Sequence, residues 1–164
     1  MIDFSTHRTV AWDNGNVVFI DQTKLPGKVS YVRCSSYHEV ADCIRKMVVR
    51  GAPAIGVAAA MGLALAAATS KGKGVSDITL ELRAAVEELR QTRPTAVNLF
   101  WGLDRMLAVA ETADKSVAAL KNALVKEAIR MAELDVETNR KLGRFGAELL
   151  EDGDVVLTHC RWPN

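Results

Sequence analysis

A chain of 164 residues, 49% of them hydrophobic, is long enough for one domain with a hydrophobic core and too short for two ordinary ones. Its 21 basic and 20 acidic residues nearly cancel, and neither sign forms a long run, which argues against a nucleic acid or an anionic membrane as partner. Three cysteines without a Cys-x-x-Cys pair, and a start without the apolar segment of a secretion signal, indicate a reducing cytoplasm and predict neither disulfides nor a structural zinc site. Small molecules or other protein surfaces are the expected partners.

The first forty residues are typical of short antiparallel strands joined by tight turns. The turn DNGN at 13–16 precedes the apolar run Val17 to Ile20, and a Pro-Gly pair precedes the alternating segment Val29 to Cys34. An Asn-Gly pair beside an apolar run is a strong hairpin signal. The pattern predicts a small antiparallel meander with its strands within residues 9–34.

Helical spacing replaces this alternation from Ser36 onward. Ser36 and Glu39 have the spacing of a capping box, and apolar residues then recur at intervals of three and four residues. The spacing predicts a first helix that ends at about Val49.

A second helical segment, Gly51 to Ser70, has no charge over twenty residues, which is the length that spans a bilayer. Alanine and glycine dominate it, Pro53 lies near its start, and aromatic residues are missing at both ends. These features favour a helix that is buried on all sides in a domain over a membrane span.

Two more helices are predicted after the breaker Lys71 to Gly74. Ser76 can cap a helix that runs to Arg90 with Leu80 among its apolar positions. Pro94 can occupy the first turn of the next helix, where its missing N–H is tolerated.

A long amphipathic segment, residues 114–150, completes the helical part, with Leu142 on its predicted apolar side. Helices are therefore predicted within residues 36–150. Together with the meander they give an α+β N-terminal domain over residues 1–150.

The last residues have the pattern of a first strand of a second domain. After a turn, Val155 to Thr158 form an apolar run that is typical of a strand buried on both faces and would bring His159 and Cys160 to its end. Such a strand needs neighbouring strands, which the preceding helices do not supply. Residues 151–164 are therefore predicted to start a second domain that this chain does not complete.

The segment RGAPAIG at 50–56 is a candidate anion site. Arg50 comes just before Gly51, and Pro53 suits the first turn of the alanine-rich helix, so that a guanidinium and free backbone N–H groups would converge at a helix N-terminus. No Gly-Lys-Ser/Thr follows, so this is not a Walker loop. A tight turn with Arg50 in solvent would suit the same residues, and the sequence at this point leaves both interpretations open.

Arg93 is a second candidate for anion binding, again with a surface position as the alternative. It lies beside Pro94 and between Thr92 and Thr95, and its guanidinium could bind a phosphate through two N–H groups. A surface arginine at a turn is the alternative.

Cys160 is the sharpest catalytic candidate. Strand ends are where parallel sheets present catalytic groups, and a thiol can act as acid, base or nucleophile once its pKa is moved. His159 alternates with it and should point to the opposite face, which disfavours a simple Cys-His dyad.

The other reactive side chains are predicted to be structural. Cys34 and Cys43 suit small buried hydrophobic positions, and His38 suits the surface. Asp104 and Asp135 lie on amphipathic segments among charged neighbours, so both are predicted to be solvated or ion-paired.

Three segments together resemble the successive signature blocks of one enzyme family. These are VVRGAPAIGVAAAMGLALA at 48–66, TRPTAVNLFWGLDRM at 92–106 and DGDVVLTHC at 152–160. They are similar to the S-methyl-5-thioribose-1-phosphate isomerases, the aldose–ketose isomerases of methionine salvage, and TVAWDNGNVVFIDQTKLP at 9–26 resembles that family's first strands. The wider superfamily includes ribose-1,5-bisphosphate isomerases and the regulatory alpha, beta and delta subunits of the translation-initiation guanine-nucleotide exchange factor.

The resemblance implies a longer protein, in which an N-terminal domain of small strands and helices precedes a Rossmann-like domain and the active site lies between them. It implies that Arg50, Gly51, Ala52 and Arg93 bind the substrate phosphate and that Cys160 is the catalytic acid/base. It implies no metal and no organic cofactor. The expected partners are a sugar phosphate and a second copy of the chain in a homodimer.

The resemblance stops after Cys160. In the family the segment THC continues as Asn-Ala-Gly into the second domain, whereas here the tail 161–164 reads RWPN. We therefore expect a truncated chain, with an N-terminal domain over 1–150, the first strand of a missing Rossmann-like domain over 151–164, and the family's catalytic aspartate absent.

The expected function is that of the N-terminal domain of an isomerase that converts S-methyl-5-thio-α-D-ribose 1-phosphate to S-methyl-5-thio-D-ribulose 1-phosphate. This chain alone is expected to be inactive. A binding or assembly module related to the exchange-factor subunits, and a relative of ribose-1,5-bisphosphate isomerase, remain as alternatives.

Overall fold

The computed structural model describes residues 8–113 and 116–157. In this part of the chain a three-stranded antiparallel sheet of order β1-β2-β3 precedes five α-helices. The strands are β1 (Val10–Asp13), β2 (Asn16–Ile20) and β3 (Tyr31–Cys34). The helices are α1 (Tyr37–Arg45), α2 (Ala52–Thr69), α3 (Val75–Arg90), α4 (Val97–Thr112) and α5 (Val117–Ala147). The predicted class, α+β with a small meander followed by a helical bundle, is confirmed.

The turn between β1 and β2 is the predicted hairpin. Asn14 and Gly15 have φ angles of 47° and 75°, the positive values of a two-residue turn whose twist matches that of the strands. The register then pairs Val17 with Cys34 of β3, and both side chains are buried together with Phe19. One face of the sheet therefore joins the core.

The alanine-rich helix α2 is the centre of the domain. Its residues Ala54 to Ala67, fourteen of its 18, are buried, and it contacts the sheet and the other four helices. Small side chains allow neighbours to approach it from every side. By length and composition α2 could cross a membrane, the only helix in the described ranges that could, but the structure places it where a buried core helix was predicted.

The start of α1 was predicted correctly and its end was not. Glu39 N–H donates to Ser36 Oγ at 3.3 Å, and Ser36 N–H donates to Glu39 Oε2 at 3.1 Å, which is the predicted capping box. The helix ends at Arg45 because Met47 takes a φ of 57° and Val48 N–H turns back to the carbonyl of Cys43 at 2.9 Å.

Helices α3 and α4 begin at residues other than those predicted. Asp77, not Ser76, supplies the acceptor at the start of α3, because its Oδ2 accepts from Gly74 N–H at 3.0 Å and the helix begins at Val75. In the next connection Pro94 lies in the turn before α4, not within its first turn.

The end of α5 extends beyond the other elements that the structure describes. Leu142, predicted on the apolar side, is 68% exposed, and every residue from Arg140 to Leu157 is exposed. Leu80 of α3, likewise predicted to be buried, is 71% exposed.

The described part of the predicted terminal strand is not a strand. Residues 154–157 are irregular, and Val155 and Leu157 are each 97% exposed. A strand of that composition needs strands on both sides, and the sheet that the structure describes consists of β1, β2 and β3 at another place in the fold.

Candidate phosphate site

The loop between α1 and α2 carries the predicted anion-binding residues Arg50, Gly51 and Ala52. Gly51 has a φ of 96°, in the region that residues with side chains rarely adopt, so the turn into α2 requires a glycine. A Cβ atom at Gly51 would meet nothing within 4 Å, so the space beside this backbone is open to a ligand. Ala52 is the first residue of α2, and Pro53 lies in its first turn as predicted.

Gln22 holds the backbone of this loop. Its N–H donates to the carbonyl of Val48 at 3.0 Å, and its side-chain Nε2 donates to the carbonyl of Arg50 at 3.4 Å. The path of the loop is therefore tied to the 3₁₀ turn Gln22–Lys24 that follows β2.

Asp21 caps that 3₁₀ turn from a buried position. Its carboxylate accepts from the N–H of Thr23 at 3.1 Å and from its hydroxyl at 2.6 Å, and it pairs with Lys24 Nζ at 3.0 Å. The hydrogen bonds from Thr23, followed by the bond and charge of Lys24, outweigh burial and hold the pKa of Asp21 below its ordinary value. The charged carboxylate of Asp21 therefore stabilises the 3₁₀ turn that holds the Arg50 loop.

We expect the substitution Asp21→Asn to lower the free energy of unfolding by about 1–2 kcal/mol at pH 7, because an amide keeps the cap but loses the charge-assisted bonds. A lowered native pKa stabilises the fold above the ordinary pKa, and this contribution is lost as the pH falls through the native value. Urea unfolding at pH 7 and pH 3 should show the difference between variant and parent shrinking at low pH. The control Asp42→Asn removes an exposed carboxylate on α1 that pairs with Arg45 and Lys46, and it should change the free energy of unfolding much less than Asp21→Asn does, because exposed ion pairs contribute little. A cost of Asp21→Asn that does not change with pH would contradict this explanation.

The guanidinium of Arg50 is exposed, and within residues 8–113 and 116–157 it has no hydrogen bond or ion pair. No side chain in this part of the chain caps α2, so the N–H groups of its first turn also lack a side-chain acceptor. A helix N-terminus carries partial positive charge. Arg50 and the start of α2 are therefore complementary to an anion.

Arg93 lies in the connection between α3 and α4. It is half-buried, and its guanidinium has no hydrogen bond or ion pair with the residues that the structure describes, while its carbonyl accepts from Ala96 N–H at 3.0 Å. The neighbouring hydroxyl of Thr92 is committed elsewhere, because it donates to the carbonyl of Leu89 at 2.6 Å. Like α2, α4 begins without a side-chain cap.

The first halves of α2 and α4 pack backbone to backbone. A Cβ atom at Gly56 would lie 2.7 Å from the carbonyl oxygen of Asn98, and one at Gly102 would lie 2.5 Å from that of Gly56. Pro53 and Val97, at the starts of the two helices, line the same groove. The loops that carry Arg50 and Arg93 thus lead into two helices whose N-termini are neighbours, which is what a shared phosphate would require.

The groove beside these helix ends has a volume of about 550 Å³ and lies between α2, α4 and α5. Asn98 and Trp101 of α4 and Asp135 of α5 contribute polar and aromatic groups to it. Asp135 was predicted to be solvated or ion-paired, and it is only partly solvated: it is half-buried, burial raises its pKa, and its carboxylate accepts from Asn139 Nδ2 at 3.1 Å. This groove could not be predicted from the sequence, because the residues that line it come from three separate helices.

Other side chains lie as predicted. Cys34 and Cys43 are buried, and His38 is at the surface with Nδ1 2.7 Å from Glu88 Oε2. Asp104 is ion-paired with Arg90 of α3, with Oδ1 2.5 Å from Nη2.

Cys160 and His159 lie outside the described residues, as do residues 161–164. The catalytic role of Cys160 therefore stays a prediction. In the described ranges no three His, Cys, Asp or Glu side chains form a group that could hold a metal ion.

The fold and the site define an α+β domain in which two neighbouring helices, each preceded by an arginine, begin beside an open groove that is lined by residues of their first turns. Residues 48–162 match the family model described as the initiation factor 2 subunit family, and the chain belongs to that family.

The similar proteins confirm the resemblance seen in the sequence. A putative methylthioribose-1-phosphate isomerase of Archaeoglobus fulgidus is 50% identical over 93% of this chain and 44% of its own length. The methylthioribose-1-phosphate isomerase of Geobacter sulfurreducens is 47% identical over the same shares of the two chains. The chain thus spans less than half the length of the curated relatives it matches.

Two solved structures share the fold. The 5-methylthioribose 1-phosphate isomerase of Pyrococcus horikoshii has a TM-score of 0.85 and 45% identity over 89% of this chain and 41% of that one. The delta subunit of translation initiation factor eIF-2B of A. fulgidus has a TM-score of 0.87 and 49% identity over 95% of this chain and 45% of that one.

Proposed function

We propose that this chain is the N-terminal domain of an isomerase that converts S-methyl-5-thio-α-D-ribose 1-phosphate to S-methyl-5-thio-D-ribulose 1-phosphate. The observation that carries the proposal is the pair of uncapped, neighbouring helix N-termini entered from Arg50 and Arg93. The relatives named methylthioribose-1-phosphate isomerase support this substrate.

The phosphate would be held by the guanidinium groups of Arg50 and Arg93 and by the backbone of Gly51 and Ala52. Arginine binds phosphate through two parallel N–H groups, and the start of α2 adds backbone donors and its dipole. A phosphate at this position would fix C1 of the sugar, to which it is attached, relative to the groove.

The chemistry requires help because C1 carries the phosphate and the ring cannot open as a free sugar does. A proton or hydride must move between C1 and C2 in a site from which water is excluded. Cys160 would act there as acid/base. A second group, the aspartate of the family, would protonate the ring oxygen, and no described residue is assigned to that role.

We also propose that residues 1–150 form the N-terminal domain and that residues 151–164 begin a second one. Support comes from the relatives, which are more than twice as long, and from apolar side chains that stay exposed near the end of α5. The exposed apolar residues there are Leu142, Phe145, Leu149 and Leu150. A cytoplasmic location and a homodimeric state are supported by the resemblance alone.

This chain by itself is expected to show no measurable isomerase turnover, because it supplies one of two catalytic groups and one wall of the cleft. The assay follows conversion of S-methyl-5-thioribose 1-phosphate to the ketose. A rate within tenfold of the typical enzyme value of about 10 s⁻¹ would contradict this expectation. Activity that appears only when a separately expressed second domain is added would support it.

Ligand-induced thermal stabilisation tests phosphate binding without turnover. At a hundred times its Kd, the substrate should stabilise the chain by about 2.7 kcal/mol, which raises Tm by about 5–10 °C. The matched ligand S-methyl-5-thioribose, which lacks the phosphate, should give a far smaller shift, and ribose 1,5-bisphosphate tests the alternative substrate class. Equal shifts with and without the phosphate would overturn the proposed site.

An assembly module is the second candidate, favoured by the likeness to the eIF-2B delta subunit and by the same exposed apolar residues of α5. It requires stable association with a protein partner and no stabilisation by sugar phosphate. Sedimentation analysis beside the thermal measurement separates the two candidates.

A further inference from the structure

Two free thiols are in contact inside the domain, between β3 and α1. Cys34 Sγ lies 3.6 Å from Cys43 Sγ, and both cysteines are free. Cys34 is the last residue of β3, where it pairs with Val17 of β2, and Cys43 lies in α1 on the side that faces the core. Neither thiol has a part in the proposed isomerase function.

The placement of the pair suits formation of a disulfide. The two sulfur atoms would have to approach by about 1.5 Å to reach the bonded distance of about 2.05 Å. Side-chain rotation with a small shift of α1 can provide this movement, because only the capping-box turn at Ser36 separates the strand from the helix. In a reducing compartment the pair rests as thiols, so a disulfide would be a transient, oxidised state.

The two cysteines are not equivalent. Cys43 is 6% exposed and Cys34 is fully buried, so a small oxidant reaches Cys43 first. The hydrogen bond between the two thiols lowers the pKa of Cys43 and raises that of Cys34. Cys43 is therefore the sulfur that reacts first, and Cys34 is the thiol that follows.

We propose that Cys34 and Cys43 are an oxidation site, which forms a reversible intramolecular disulfide with hydrogen peroxide or a similar small two-electron oxidant. In the first step the Cys43 thiolate attacks a peroxide oxygen, the O–O bond breaks, and water leaves with formation of a sulfenic acid. In the second step the Cys34 sulfur attacks the Cys43 sulfur, the S–O bond breaks, and a second water leaves. The two sulfurs together lose two electrons, which reduce one peroxide to two waters.

Mass spectrometry of the intact chain tests the proposal. The substitution Cys160→Ser first removes the third thiol, so that no other pair within the chain can form. Peroxide should lower the mass of the folded chain by about 2 Da, and dithiothreitol should restore it. The cross-link of β3 to α1 should raise Tm by about 5–10 °C.

Two matched variants in the same background identify the order of reaction. With Cys34→Ala, Cys43 should gain about 16 or 32 Da as sulfenic or sulfinic acid, with no loss of 2 Da. With Cys43→Ala, Cys34 should stay unmodified under the same peroxide treatment, and equal reactivity of the two variants would overturn the assignment of Cys43 as the attacking thiol.

The mass loss in the Cys160→Ser chain decides the proposal even if an alanine variant does not fold. Addition of 32 Da at Cys43 with Cys34 still reduced would overturn it. The proposal would also be overturned if the native chain did not react while the chain unfolded in urea was oxidised, because burial would then exclude the oxidant.

Discussion

The substitution Gly102→Ala is expected to lower the free energy of unfolding by about 3 kcal/mol or more. The new Cβ atom would lie 2.5 Å from the carbonyl oxygen of Gly56 and 3.3 Å from its Cα atom. Both are backbone atoms of the buried helix α2, so no side chain can rotate away. The helices would have to separate along a contact that the surrounding core holds closed.

The control for this prediction is Gly143→Ala. Gly143 is also helical, but it lies on the exposed part of α5, and a Cβ atom there would meet nothing within 4 Å. That variant should be more stable by about 0.5–1 kcal/mol, because alanine is the better helix former. Urea unfolding followed by circular dichroism measures both. A cost below about 1 kcal/mol at Gly102 would mean that α2 and α4 are farther apart than the structure places them.

The contact at Gly102 also affects the candidate site, because it sets the distance between the starts of α2 and α4. If Gly102→Ala still folds, it should bind the substrate more weakly than the parent, whereas Gly143→Ala should bind it equally well. If both variants bound the substrate more weakly, the contact at Gly102 would not be the cause of the weaker binding.

The sequence predicted those parts of the fold that depend on neighbours in the chain. Asn14 and Gly15 determine the hairpin through their own backbone angles, and the Ser36 and Glu39 capping box closes within four residues. The lack of charge in α2 allowed either a membrane span or a core helix, and its alanine and glycine content, Pro53 and the missing aromatic residues at its ends predicted the core helix.

Features that depend on packing between distant segments could not be predicted. Asp135 is half-buried only because α2 and α4 lie against α5, and periodicity alone gives no sign of this. Leu80 and Leu142 have the spacing of buried residues, but within the described part of the chain both side chains are exposed. The motif around Arg50 predicted an anion site. That the N-terminus of α4 lies beside that of α2 follows only from the contact of Gly56 with Gly102 in the structure.

The substitutions Arg50→Gln and Arg93→Gln are each expected to weaken binding of S-methyl-5-thioribose 1-phosphate by about 10- to 100-fold. A charge-assisted hydrogen bond contributes about 1.5–3 kcal/mol, and glutamine keeps a polar side chain of moderate size without the charge. Because neither guanidinium has a partner in the described structure, neither substitution should lower the free energy of unfolding by more than about 0.5 kcal/mol. Titration calorimetry and urea unfolding measure the two effects separately.

The double variant distinguishes a shared phosphate from two independent contacts. If both arginines bind one phosphate, loss of the first lets the ligand move, and the double variant should lose less than the sum of the two single losses. Arg83→Gln, at an exposed position of α3, should change the Kd by less than about threefold, since it removes the same charge away from the site. If all three single variants weaken binding equally, the phosphate responds to the net charge of the chain and not to a site, because only a site requires the adjacent starts of α2 and α4.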